Sequence, residues 1–73
     1  MIEEGKVYNH SKLDCPVKIK RYKEGSKIAT FFYLNPDLSI QKTKFYFKVS
    51  ERIGIGNIKN LLPYNNKKQL ELF

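Results

Sequence analysis

The sequence predicts a mainly β fold: a small antiparallel meander of four or five strands curled into an SH3-like or OB-like barrel. One short C-terminal helix or 3₁₀ turn and a flexible tail complete it. Three observations carry this. Apolar and polar residues alternate with period two over long stretches, as they do where every second side chain of a strand meets a core. Turn-forming clusters separate those stretches at short spacing. Beyond Glu51 the alternation gives way to a helical spacing that a proline ends. A flat sheet of three or four strands packed on one helix is the alternative architecture.

Gly5 to Tyr8 is a short alternating opening segment. After Pro16, the run Val17-Lys18-Ile19-Lys20-Arg21-Tyr22 alternates apolar and basic residues, and Lys23-Glu24-Gly25-Ser26 supplies a hairpin turn. Lys27 to Leu34 is rich in β-formers (Ile28, Thr30, Phe31, Phe32, Tyr33), and Asn35-Pro36-Asp37 is a second turn signal. Ser39 to Val49 reads as one long strand, with Phe45, Phe47 and Val49 on one face and Lys42, Lys44, Tyr46 and Lys48 on the other. Ile58, Leu61 and Leu62 then fall at helical spacing before Pro63. These phases predict a core of Ile19, Ile28, Phe32, Phe45, Phe47 and Val49. Residues 1–63 form one small β domain, and 64–73 are a polar linker with a terminal peptide.

With 73 residues the chain holds one domain at most, and so short a chain buries only about 60% of its unfolded surface. Its 41% hydrophobic content is too high for full disorder. Fourteen Lys and Arg against seven Asp and Glu give a net charge of +7. That balance favours a polyanionic partner, nucleic acid before membrane, since no long apolar run or basic amphipathic helix is present. A lysine bias without any partner is the plain alternative. The single cysteine, Cys15, permits no internal disulfide and fits a reducing cytoplasm. With one histidine, His10, no zinc site can form within one chain. Glu3, Glu4, Asp14, Glu24, Asp37, Glu51 and Glu71 are scattered, without a cluster for a metal or a general acid–base pair. No phosphate-binding loop occurs. The expectation is a binding protein rather than an enzyme, without cofactor or small-molecule substrate.

Two segments are candidates for binding nucleic acid. If the strands alternate as read, Lys18, Lys20 and Tyr22 share one face, as do Lys42, Lys44, Tyr46 and Lys48. Side by side they make a positive stripe carrying two rings, cations for phosphates and flat surfaces for bases, of use to single- or double-stranded DNA. The plain alternative is a solvated sheet face whose lysines blunt edge pairing. Gly54-Ile55-Gly56 resembles the Gly-hydrophobic-Gly hairpin of helix-hairpin-helix domains, although Arg52-Ile53 replaces the usual Leu-Pro there. A turn that packs its isoleucines into the core is the favoured reading.

The last five residues are Gln69-Leu70-Glu71-Leu72-Phe73. Gln-Leu-x-Leu-Phe resembles the short clamp-binding motif of bacterial replicative and translesion polymerases, mismatch-repair proteins and initiation regulators. The resemblance implies docking on the bacterial DNA sliding clamp. Gln69 would then hydrogen-bond at the pocket rim, Leu70 fill a small subsite, and Leu72 with Phe73 fill the main one. Glu71 stands at the variable position, where Asp or Ser is more usual. The alternative is a last β-strand, Leu70 to Phe73, on a sheet edge. The expected function is a clamp-docking protein of DNA metabolism and, by analogy with other small non-enzymatic proteins, a phage or mobile-element modulator of host replication. The alternatives are a basic inhibitor that binds an acidic surface of another protein, such as a defence nuclease, and a plain nucleic-acid-binding domain.

Overall fold

The computed structural model describes residues 2–64, and the fold is mainly β. The strands are β1 (Val7–His10), β2 (Val17–Arg21), β3 (Ile28–Tyr33), β4 (Lys42–Phe45), β5 (Lys48–Glu51), β6 (Ile53–Asn57) and β7 (Leu61–Pro63). A 3₁₀ turn, Ile58–Asn60, joins β6 to β7. Among the described residues there is no α-helix, so the sheet-on-helix alternative does not apply.

Five strands form one antiparallel sheet in the order β6-β3-β2-β1-β7, and β4 pairs with β5 in a separate two-stranded ribbon. β6 and β7 lie at opposite edges of the large sheet, yet only the 3₁₀ turn separates them in sequence. Three residues span too little distance to cross a flat five-stranded sheet, whose strands stand about 4.8 Å apart. The sheet is therefore coiled toward a barrel. Asn57 caps the turn, its side-chain oxygen accepting from the Lys59 amide at 2.9 Å. Pro63 stands in an edge strand, where its missing amide costs no ladder bond.

The core fills the coiled sheet with Tyr8, Val17, Ile19, Ala29 and Phe31. Ile2, Leu13, Tyr22, Tyr33, Ile58 and Leu61 pack around it, and Leu34 is fully buried. Phe31 meets Tyr33 edge-on, with ring centroids 5.6 Å apart. Both expected turns are present. At Lys23–Ser26, Gly25 takes φ 88°, which a residue without Cβ adopts freely. At Asn35–Ser39, the Asp37 carboxylate accepts from the Ser39 amide and hydroxyl.

Only Ile19 among the expected core residues is fully buried. In β3 the inward set is Ala29, Phe31 and Tyr33, so Ile28 is 50% exposed and Phe32 half-buried on the outer side. That strand is apolar at both parities, and the sequence offers no contrast from which to choose its phase. The expected strand 39–49 is instead a hairpin, β4 and β5, which turns at Tyr46-Phe47 and leaves Phe45, Phe47 and Val49 exposed. Gly54 and Gly56 lie within β6 rather than opening a helix, and Ile53 and Ile55 face outward. The two glycines face the core rings. A Cβ at Gly54 would stand 2.7 Å from Tyr33 Cζ and 3.0 Å from Phe31 Cε1.

Candidate functional site

The β4–β5 ribbon is an arm inserted between β3 and β6. Its root is firmly tied. Gln41 donates its amide to the Tyr33 carbonyl and Arg52 donates its amide to the Gln41 carbonyl, each at 2.8 Å. Arg52 Nη1 also donates to Gln41 Oε1, and Gln41 Nε2 donates to the Leu34 carbonyl. The Arg52 guanidinium lies 4.9 Å from the Tyr33 ring centroid. Tyr33 in turn packs on the core, so the root is continuous with the body of the domain.

Beyond that root every residue of both strands is exposed. The register pairs Lys42 with Glu51, Thr43 with Ser50, Lys44 with Val49 and Phe45 with Lys48. Opposite charges at the Lys42–Glu51 pair and hydroxyls at the Thr43–Ser50 pair favour this register. Tyr46 and Phe47 form a two-residue loop, and Tyr46 takes φ 57°, a conformation usually left to glycine or asparagine. The exposures at this end are 74% for Phe45, 81% for Tyr46 and 98% for Phe47. Phe45 and Tyr46 pack edge-on with centroids 4.5 Å apart.

This geometry rearranges the expected basic stripe. Paired residues share a face, so Lys42 and Lys44 stand with Val49 on one side of the arm, while Lys48 stands with Phe45 on the other. Tyr46 is at the tip rather than on a strand face. The parity reverses because the chain turns between positions 45 and 48, where a continuous strand would have kept all three lysines together. In β2, Lys18 pairs across from Phe32, and the Lys20 ammonium lies 6.0 Å from the Phe32 ring centroid on the outer face. The register shifts between Ile19 and Arg21, which carries Tyr22 to the core side. There its amide donates to Glu4 Oε2 and its hydroxyl to the Ser26 carbonyl. Tyr22 therefore does not join Lys18 and Lys20 as an exposed stacking ring.

Tyr22 instead lines a groove of about 750 Å³ with Ile2, Glu3, Glu4, Glu24, Ile58, Lys59 and Leu61. His10 ends β1 against the Phe31 ring, and its Nδ1 accepts from the Lys12 amide at 3.1 Å. Burial, and then the nearby Lys12 charge, hold its pKa below the usual 6.5. Cys15 is a half-buried free thiol in the loop before β2. No group of three or more His, Cys, Asp or Glu residues suited to a metal ion occurs among the described residues. No helix among them is long and apolar enough to cross a membrane.

The clamp-motif residues Gln69, Leu70, Leu72 and Phe73, the expected terminal strand, and the expected linker beyond Tyr64 lie outside the described residues. Comparison with protein-family models, curated proteins and solved structures found no match. The arm was missed in the sequence because its turn contains no Gly, Asn, Asp or Pro. The available signal was subtler: Thr43 with Ser50, and Lys42 with Glu51, stand at equal distances on either side of Tyr46-Phe47, as matched limbs of a ribbon do.

Proposed function

We propose that this protein is a non-enzymatic binding module of DNA metabolism that docks on the bacterial sliding clamp through Gln69, Leu70, Leu72 and Phe73. The observation that carries the reading is the ordered set Gln-Leu-x-Leu-Phe, whose residue types suit an amide-rimmed apolar pocket. Three large apolar side chains contribute roughly 1.5–3 kcal/mol each on burial, before the cost of ordering the peptide. The surplus corresponds to a micromolar-class contact, about −8 kcal/mol. That strength suits exchange among competitors on one ring, as replication or its modulation by a mobile element demands.

The core residues named above run from Ile2 to Leu61, so loss of the pentapeptide removes none of them. Calorimetric titration into a purified bacterial clamp tests the reading. Wild type should bind, and the Leu72→Ala, Phe73→Ala double variant should lose binding while keeping a β-type circular dichroism spectrum. An unchanged dissociation constant in that variant refutes clamp docking. Unfolding on removal of 69–73 would instead make the segment a strand of the domain.

A further inference from the structure

We propose that the β4–β5 arm binds single-stranded nucleic acid, its tip rings stacking on bases while Lys42, Lys44 and Lys48 contact phosphates. This goes beyond clamp docking and stands without it, because it rests on the arm alone.

The arm is costly by the standards of the rest of the fold. A two-stranded ribbon exposed on both faces has little stability of its own. Three consecutive aromatic residues at its end lie in water, and Tyr46 holds a positive φ that a glycine would adopt freely. Glycine takes this region at Gly25, and Leu38 takes it at φ 71° in the Asn35–Ser39 turn, so the φ angle alone does not set the tip apart. What sets the tip apart is three adjacent rings kept in water, Phe45, Tyr46 and Phe47, and that exposure points to a role for the rings themselves.

The occupant follows from charge and spacing. The arm carries three lysines against one glutamate, on a chain of net charge +7, so a second copy of this chain is repelled. Lys44 and Lys48 are the immediate neighbours of Phe45 and Phe47. Neighbouring strand residues are about 3.4 Å apart, so the cations stand almost level with the rings. A lipid-inserting tip buries its apolar side chains about 5–10 Å into the interface, and these lysines would have to stretch their stems back to the headgroups. A nucleic-acid strand presents bases and phosphates side by side, which matches rings and cations at one level. Unpaired bases leave their faces open, whereas a duplex must first be unstacked. Lysines on both sides of the ribbon let the strand's backbone pass on either side of the rings.

Fluorescence anisotropy with a labelled oligothymidylate, followed over a range of salt, tests this on the full chain. Three phosphate contacts contribute about −2 to the slope of log affinity against log salt. Phe47→Ala should weaken binding about 5- to 150-fold with the slope unchanged, because a lost stack of about 1–3 kcal/mol releases no counterions. Lys44→Ala with Lys48→Ala should reduce the magnitude of the slope by about 1.4. Tyr46→Gly, which relieves the turn, should also weaken binding. Unaltered affinity in Phe47→Ala and Tyr46→Gly, or an unaltered slope in the lysine double variant, overturns the proposal. So does a wild-type protein that ignores the oligonucleotide but sediments with phosphatidylserine vesicles, which would make the arm a lipid contact.

Discussion

His10 and the two glycines of β6 report on packing around the Phe31 ring. Burial, and then the Lys12 charge, lower the His10 pKa below 6.5 in the folded state. The unfolded chain then binds the proton more readily than the folded one. Stability therefore falls as pH drops through about 6.5 and levels off once the pH is below the folded value. Thermal midpoints measured from about pH 7 to pH 5 should decline in wild type and stay flatter in His10→Gln. Equal slopes in the two proteins would mean that another group titrates. Asp37, whose pKa is lowered by the Ser39 hydroxyl and amide, acts in a separate window. Its contribution is present at neutral pH and lost only as pH falls through its depressed value. Gly54 gives a steric counterpart. A methyl there strikes Tyr33, whose ring is held between Phe31 and Arg52, so Gly54→Ala should cost about 1–3 kcal/mol. At Gly56 the nearest atom is Phe31 Cε2 at 3.4 Å, and the entropy gained in the unfolded chain, about 0.4–1 kcal/mol, offsets that contact. Chemical denaturation of the two variants should separate them clearly, and equal losses would contradict the packing described for β6.

Among the elements, the sheet and the arm make opposite demands on their aromatic residues. Phe31, 2% exposed, meets His10 and Tyr33, and Phe31→Ala should cost about 3–5 kcal/mol, near the whole stability of so small a domain. Phe47→Ala should change stability by less than about 0.5 kcal/mol. Tyr46→Gly relieves about 1–2 kcal/mol of left-handed strain and gives up about 0.5–1.5 kcal/mol of ring contact with Phe45. Denaturation should show stability unchanged or raised, and a loss above about 1 kcal/mol would make the ring a structural plug. The sequence distinguishes these two classes poorly, and the reason is physical. β-propensity and alternation marked β2, β3 and both flanking turns, because Gly25 and Asn35-Pro36-Asp37 announce themselves chemically. A 3₁₀ turn was legible at Ile58, but Leu61, Leu62 and Pro63, read as its continuation and its stop, form β7 instead, where they pair with β1. The phase of β3 was not, since Ile28 and Phe32 are as apolar as Ala29 and Phe31. The hairpin turn was hidden because its strained position carries tyrosine instead of glycine. That tyrosine concealed the arm, and the exposure of Phe45, Tyr46 and Phe47 together marks the arm as a candidate site. Lys42, Lys44, Tyr46 and Lys48 were legible as a basic aromatic group, but their division between two faces and a tip depended on the turn.

At the scale of the whole molecule, charge couples folding to binding through salt. Seven excess positive charges are drawn together as the chain contracts, from a radius of gyration of about 26 Å unfolded to 12.9 Å folded. At an ionic strength of about 0.01 M the screening length is about 30 Å, and these charges repel across the full domain. At about 0.15 M it is about 8 Å, and repulsion across the domain is largely screened. The folded state gains more from this screening than the expanded one, by about 1 kcal/mol for a charge of this size. Its melting midpoint should rise by roughly 4–8 °C over that range, given the entropy of unfolding of a chain this short. Oligonucleotide affinity should fall over the same range, since each phosphate contact releases counterions. Stability and binding are therefore predicted to respond to salt with opposite signs. Paired melting and anisotropy titrations in one buffer series check both. A midpoint that falls with salt would show that favourable ion pairs dominate the folded state. Lys44→Glu with Lys48→Glu lowers the net charge from +7 to +3 and should shrink both responses together. If only the binding response shrinks, the arm's lysines contribute nothing to the repulsion that opposes folding. The stability response would then arise in the body of the domain.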